Sequence, residues 1–141
     1  MEIELVPEFG ARLPGGALLF GAAEADARHL LECLGQPSKP FVCGTAWAWR
    51  VQIADRWVQA EAGGDGLLGV IRIMRAIEYA AGAAAGIPVT YRGVDVFEFT
   101  VAELEFLLGP GSRPDLRLTG VHGYAEMATL TDLSRPATRG R

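Results

Sequence analysis

The alternating side chains of residues 47–53 constrain the fold of this chain most. Apolar side chains occupy every second position in this stretch, at Trp47, Trp49, Val51 and Ile53. A period of two is typical of a β-strand with one buried face, because successive side chains point to opposite sides of the strand. The sequence therefore predicts a half-buried strand with both tryptophans on one face.

Turn-forming residues after this strand predict an antiparallel meander. The tripeptide 54–56 can form a tight connection, and the run Gly63–Gly66 is rich in the glycine and aspartate that turns favour. We therefore expect a second strand at 57–61 and a third at 67–77. Because such turns reverse the chain, the three strands are expected to pair antiparallel.

Residues 67–85 are open to two interpretations. The β-branched residues after the glycine turn favour a strand up to about Ile77, whereas Arg72, Arg75 and Glu78 also form a polar stripe with helical spacing. We expect the strand, because a glycine turn of this kind suits a hairpin. Shorter strands are predicted further along the chain, at 89–91, 94–97 and within 116–131.

Two helices are predicted from apolar periodicity and from their end signals. The first spans about 22–34, and Gly35 is expected to end it in a left-handed conformation. The second begins at Thr100, because Thr100 and Glu103 have the spacing of a capping box, and it ends at Gly109. Each helix is expected to bury one apolar face.

These elements predict an α+β fold, an antiparallel β-sheet with two short helices packed on one face. With 141 residues, half of them apolar, the chain can form one domain with a sizeable core. We expect that domain to span 1–133 and to be followed by a disordered basic tail at 134–141. Aligning Gly35 with Gly109 matches the apolar positions of the two helices, which indicates either a degenerate tandem repeat or a coincidence between two apolar helices.

The run Phe20–Pro37 resembles the opening of a known group of small domains. It contains a glycine, a helix and the sequence Leu34-Gly35-Gln36-Pro37, and it is similar to the start of SmpA/OmlA-type and β-lactamase-inhibitor-protein-like (BLIP-like) domains. In those families short helices pack on an antiparallel meander, sometimes in tandem copies. The resemblance covers about 15–77, with a degenerate second copy from about residue 88. It implies a protein that binds other proteins and is not an enzyme.

The redox state of the two cysteines, Cys33 and Cys43, depends on the cellular compartment. The resemblance implies that they could be bridged, as helix-to-strand cysteines can be in inhibitor-type members. However, the N-terminus has acidic residues where a secretory signal needs basic ones, and no apolar run reaches the ~20 residues of a membrane span. We therefore expect a cytoplasmic protein with no membrane association, in which both thiols are reduced and buried.

Charge and composition exclude several classes of partner. The chain has 13 Lys and Arg against 17 Asp and Glu, a formal net charge of −4. An acidic body repels phosphate, so no nucleic-acid partner is expected. The two histidines, His29 and His122, are far apart in the sequence, and no cysteine motif has the spacing of a zinc site. We expect no metal and no cofactor.

The tryptophans are the most distinctive candidates for binding. Trp47, Trp49 and Trp57 can each desolvate a large face against a partner, although the sheet core is the competing location for the first two. Four further candidates stand at predicted strand ends: Asp55, Arg56, Tyr91 and Arg92. The favoured function is a non-catalytic protein-binding domain, an inhibitor, immunity or accessory factor, that uses an aromatic-rich sheet surface.

A small enzyme is the alternative function. His122, Tyr124 and Glu126 alternate on the last predicted strand and could face a cavity, with Asp95 as a further polar group. The substrate would be a small apolar molecule, as for a cyclase or isomerase of specialised metabolism, held in a closed pocket. An exposed apolar patch would instead indicate a homo-oligomer or a subunit of a larger assembly.

Overall fold

The computed structural model describes residues 1–76, 86–109, 113–121 and 123–135. Their strands form two five-stranded sheets, with the orders β3-β2-β1-β7-β8 and β4-β5-β6-β10-β9. The predicted α+β fold with antiparallel pairing and two short helices is confirmed, but the strands form two sheets where we expected one. In chain order the elements are β1 (Ile3–Val6), β2 (Gly10–Leu13), β3 (Gly16–Leu19), α1 (Glu24–Glu32), β4 (Ala48–Ile53), β5 (Arg56–Ala62), β6 (Leu68–Arg75), β7 (Val89–Tyr91), β8 (Val94–Asp95), α2 (Val101–Leu107), β9 (Leu116–Val121) and β10 (Tyr124–Thr131).

The second sheet contains the predicted meander. β4, β5 and β6 pair antiparallel in sequence order, and β10 and then β9 extend the sheet beyond β6. Ala54 has a φ of +51°, which allows a tight turn that leaves Ile53 and Arg56 paired. The strand predicted from residue 67 is confirmed over Leu68–Arg75. The rest of the ambiguous segment, 77–85, lies outside the described residues.

In the first sheet the strands predicted at 89–91 and 94–97 are present as β7 and β8, whereas β1, β2 and β3 were not predicted from the sequence. β1, β2 and β3 form two successive hairpins, and β1 also pairs in parallel with β7, so that Ile3 lies beside Val89. The strands of this sheet have four residues or fewer. In β1, β2 and β3 a run of four residues gives only a weak periodic pattern, and the pairing of β1 with a parallel partner so distant in sequence leaves no local signal.

One core connects both sheets and both helices. Each sheet and each helix contributes a fully buried side chain to this core. Examples are Leu5 in the first sheet, Ile73 in the second sheet, Leu31 in α1 and Leu104 in α2. The second sheet therefore buries one face against the rest of the domain. The side chains at the alternate positions of its strands point to the opposite face.

The two helices have different N-terminal caps. The Thr100 hydroxyl accepts a hydrogen bond from the Glu103 amide at 3.1 Å, and the Thr100 amide donates to the Glu103 carboxylate at 3.0 Å. The predicted capping box is thus confirmed. α1 begins after Ala23, whose side chain makes no capping hydrogen bond. The two caps have nearly the same backbone conformation, so the difference lies in the side chain alone.

The C-terminal ends of the helices also differ. Gly109 has a φ of +89°, the left-handed conformation expected of a helix stop. The same prediction for Gly35 is wrong, because its φ is not positive and α1 has already ended at Glu32. Cys33 caps α1 in a right-handed conformation, and its amide donates to the Leu30 carbonyl, so no left-handed residue is required.

A hairpin followed by a helix occurs twice, as β2–β3 with α1 and as β7–β8 with α2. The N-caps Ala23 and Thr100 are 100 minus 23, or 77, positions apart. The alignment of Gly35 with Gly109 instead spans 109 minus 35, or 74. The tandem repeat stays a prediction.

Cys33 and Cys43 are free thiols, as predicted, but both are exposed, so the expectation that they are buried is wrong. Arg135 forms ion pairs with Asp65 at 2.7 Å and Asp132 at 2.9 Å, which attaches the start of the predicted tail to the domain. Residues 136–141 lie outside the described residues. Within the described ranges, no helix is long and apolar enough to cross a membrane.

Candidate functional site

The second sheet has a face that points away from the core. On β5 the core takes Val58 and Ala60, so the alternate positions Trp57 and Gln59 point to the opposite side. The register of the neighbouring strands extends this alternation across the sheet. We call this surface the outer face. Its partly or fully exposed aromatic, methionine and arginine side chains are Arg50, Trp57, Arg72, Met74, Arg117, Tyr124 and Met127.

A buried ion pair lies at the centre of the outer face. Arg72 Nε donates to Glu61 Oε2 at 2.5 Å, and Gln59 Nε2 donates to the same oxygen at 2.7 Å. Arg72 Nη1 also donates to Thr129 Oγ1 at 3.1 Å. The Glu61 side chain is fully buried, whereas 19% of the Arg72 side chain is exposed. This network fixes four side chains from three strands and leaves the guanidinium as its accessible part.

Trp57 lies beside this network and is held by an arginine. The Cζ atom of Arg50 is 4.5 Å from the centroid of the Trp57 ring, within the range of a cation–π contact. Trp57 is opposite Gln52 on β4 and Met74 on β6. A large, partly exposed aromatic ring is therefore presented on the sheet in a fixed position.

The outer face differs in charge from the chain as a whole. Its described strand positions carry three arginines, Arg50, Arg72 and Arg117, and two carboxylates, Glu61 and the bulge residue Glu126, which gives 3 minus 2, or a formal +1. The whole chain has a net charge of −4. A cationic surface on an acidic protein favours an acidic surface as its partner.

Trp47 and Trp49, both predicted binding residues, lie in the core. The Trp47 indole donates to the Gly66 carbonyl at 2.8 Å, and the Trp49 indole donates to Glu24 at 2.9 Å. Arg28 lies over the Trp49 ring at 4.4 Å. Both indoles are buried and satisfied inside the protein, so they are corrected from binding residues to core residues.

Asp55 and Arg56, predicted as surface residues at a strand end, form a buried ion pair with a distance of 2.5 Å. The backbone amide of Ile87 also donates to Asp55 Oδ1 at 3.1 Å. A Cβ atom at Gly86 would overlap the Asp55 carboxylate, so glycine is required where the chain passes this pair. The two residues therefore contribute to the packing of the domain, and their assignment to a binding surface is corrected.

A second arginine lies close to this buried pair. The Cζ atoms of Arg56 and Arg75 are 4.8 and 5.0 Å from the centroid of the Phe97 ring. Burial lowers the pKa of the Arg56 guanidinium; Asp55 opposes this effect, while Arg75 adds to it. Arg75 Nε donates to the Ala125 carbonyl at 2.9 Å, which ties β6 to β10 at this end of the sheet.

Tyr91 and Arg92 lie apart from the outer face. Tyr91 is fully buried, and its hydroxyl donates to the carboxylate of Asp115, with both oxygens at 3.2 Å. Arg92 is exposed and lines an open cleft of about 610 Å³ between three turns and the end of β10. The lining of this cleft is mostly polar or charged: Pro7, Glu8, Arg92, Asp115, Thr131, Asp132, Leu133 and Ser134.

The residues of the enzyme alternative are not brought together where they are described. Asp95 accepts a hydrogen bond from the Phe97 amide in the first sheet, and Tyr124 begins β10 in the second. A register shift between Ala125 and Met127 makes the exposed Glu126 the extra residue of a bulge in β10. His122 lies outside the described residues.

Among the described residues, no group of three or more His, Cys, Asp and Glu side chains could hold a metal ion. Comparison of the chain with protein-family models, curated proteins and solved structures finds no match.

Sequence analysis found Trp57, and Tyr124 as part of the enzyme alternative, but missed the other members of the outer face. Arg50, Arg72 and Met74 occupy positions that alternate with core residues, so the same period of two that predicted the core could have found them. Met127 and Arg117 depend on the pairing of β10 with β6 and β9, which only the structure provides.

Proposed function

We propose that this protein is a non-catalytic protein-binding domain that holds its partner on the outer face. The observation that carries the proposal is the composition of this face: apart from Tyr124 and Glu126 on β10, its accessible apolar and charged side chains are Trp, Met and Arg. These three residue types are enriched at protein–protein interfaces, and Trp and Arg are enriched among the residues that dominate binding energy. Trp57 is the anchor, and Arg50 and Arg72 surround it.

The internal contacts of the outer face support binding over catalysis. Glu61 is fully buried and already bonded to Arg72 and Gln59, so it has no free role in proton transfer. The side chains are pre-positioned by contacts within the sheet, which lowers the entropy lost when a partner docks. An inhibitor, immunity or accessory factor fits this arrangement, as does the BLIP-like resemblance.

The charge of the outer face supports a partner with an acidic surface. Arg50, Arg72 and Arg117 extend across the sheet from β4 to β9. Long arginine side chains on a flat face provide several separated contacts, which suits a folded protein better than a small molecule.

Purification of the protein from the cells that produce it, followed by native mass spectrometry, tests this function. We expect a stoichiometric second polypeptide with the unaltered protein and with the control Phe41→Ser, because Phe41 is 93% exposed and lies outside the outer face. We expect Trp57→Ala to lose the polypeptide while keeping a cooperative thermal transition. A polypeptide retained at full stoichiometry by a folded Trp57→Ala variant would refute the proposed surface.

One observation favours a second candidate, a small-molecule-binding protein. The cleft of about 610 Å³ beside Arg92 is large enough for a small ligand. Its charged lining, with Glu8 and Asp115 near Arg92, indicates a polar ligand and not the apolar substrate expected from the sequence. In the same native mass spectra, a bound compound that Arg92→Ala removes and Trp57→Ala keeps would favour this candidate.

A further inference from the structure

The helix α2 has an exposed apolar surface in addition to the side chain that it buries in the core. Phe106 is 86% exposed and Leu107 is 47% exposed, while Leu104 on the same helix is fully buried. Phe106, Leu107, Phe99, Ala102 and Glu103 line a groove of about 380 Å³. We call this surface the α2 groove. Leaving two large adjacent apolar side chains in water is unfavourable, and such a patch commonly marks an interaction site.

Three glutamates lie on or next to α2, and one of them, Glu103, lines the α2 groove. Glu98, Glu103 and Glu105 are all exposed on or next to the helix, and the sequence from Gly93 to Gly109 contains no lysine or arginine. The hydrogen bond from the Thr100 amide lowers the pKa of Glu103, so this carboxylate stays charged at neutral pH. The groove therefore has an apolar floor and a negative rim, the opposite sign to the outer face.

We propose that the α2 groove docks a basic amphipathic segment of a partner protein. Leucine or aromatic side chains of that segment would pack against Phe106 and Leu107, and its lysine or arginine side chains would pair with the glutamates of the rim. Charge complementarity selects this occupant, because an anionic lipid surface or a nucleic acid would be repelled by three carboxylates. The inference concerns a second surface and does not rest on the proposed function of the outer face.

A random peptide library provides an unbiased probe of this groove. Displayed peptides of about 12 residues, long enough for three turns of helix, are selected on the unaltered protein. Phe41→Ser is the matched control for Phe106→Ser, since Phe41 is an equally exposed phenylalanine outside α2. The affinities of the selected peptides are then measured by fluorescence anisotropy at low and at high salt.

We expect the selected peptides to combine basic with apolar residues at helical spacing. Phe106→Ser should weaken their binding at least about tenfold, the loss typical of a central aromatic anchor. Glu105→Lys should weaken it several-fold at low salt and less at high salt, because salt screens exposed charges. Phe41→Ser should bind like the unaltered protein.

Three results would overturn the proposal. Selected peptides could be acidic or uncharged, or could bind the Phe106→Ser and Phe41→Ser variants equally well. The third result would be dimers of the protein, detected by sedimentation velocity, that Phe106→Ser abolishes. The occupant of the groove would then be a second copy of this chain. Because Phe106 is almost fully exposed, its substitution leaves the core intact, and thermal unfolding verifies this for each variant.

Discussion

The guanidinium of Arg50 on β4 lies over the ring of Trp57 on β5, with 4.5 Å between the Arg50 Cζ atom and the ring centroid. Arg50 is directly opposite Gln59, so this contact runs diagonally across the strand pair. Diagonal neighbours on one face are within reach of long and aromatic side chains. The contact fixes the orientation in which Trp57 meets solvent, and therefore the geometry offered to a partner.

A double-mutant cycle should detect the coupling between Arg50 and Trp57. We expect an interaction free energy of about 0.5–1 kcal/mol from urea unfolding of Arg50→Ala, Trp57→Ala and the double variant, as for an exposed cation–π pair. Arg117→Ala is the control, because β9 is three strands away from β5 and its effect should add to that of Trp57→Ala. Full additivity of Arg50→Ala and Trp57→Ala would contradict the contact.

The buried pair of Asp55 and Arg56 should be a major source of stability. Their side chains are 7% and 5% exposed, so Asp55→Ala leaves a buried guanidinium without its partner and should cost about 3–5 kcal/mol of unfolding free energy. The exposed pair of Glu4 and Arg12, at 42% and 57%, is the control, and Glu4→Ala should cost less than about 1 kcal/mol. Equal losses from the two substitutions, measured by urea unfolding, would show that burial does not matter here.

The two helix caps predict stability changes of opposite sign. Thr100→Ala removes the hydroxyl that accepts from the Glu103 amide but keeps the backbone amide that donates to the Glu103 carboxylate, and it should lower the free energy of unfolding by about 1 kcal/mol. Ala23→Ser supplies a cap where none exists, and Ala23 has the extended conformation that a cap needs, with a φ of −73° against −68° at Thr100. We expect Ala23→Ser to raise the thermal midpoint. A midpoint lowered by Ala23→Ser would contradict this account of α1.

Stability should depend on pH through Glu103. The hydrogen bond from the Thr100 amide holds the pKa of Glu103 below its ordinary value of 4.5. Its contribution is therefore complete above the unfolded pKa and is lost as the pH falls through the folded pKa. The thermal midpoint of the unaltered protein should exceed that of Glu103→Gln most at pH 7, and the difference should disappear well below pH 4. A difference that is constant with pH would show that the carboxylate charge has no role.

Local signals explain which elements the sequence predicted. The strand alternation at 47–53, the glycine turn at 63–66 and the capping box at Thr100 each act within a few residues, and all three are present in the structure. The first sheet depends on contacts between distant segments, such as the pairing of Ile3 with Val89. A chain segment cannot show in its own pattern which remote strand it will join.

The candidate site shows the same division between local and distant contacts. Asp55 lies in the tight turn between two strands, where a residue is usually exposed, but the chain returns at Gly86 and Ile87 to bury it. Trp57 is a predicted binding residue, and it lies on the outer face. Its neighbours Met74 and Met127 come from strands whose order in the sheet was not predictable from local residues.

Photo-crosslinking from the outer face tests the central claim most directly. A benzophenone amino acid at position 74 or 127 lies on the outer face. The same group at position 19 is the control, because Leu19 is exposed on the edge strand β3 of the other sheet. In the cells that produce the protein, we predict one discrete crosslinked protein from positions 74 and 127 and none from position 19. Crosslinks from position 19 alone, or from all three positions equally, would contradict binding through the outer face.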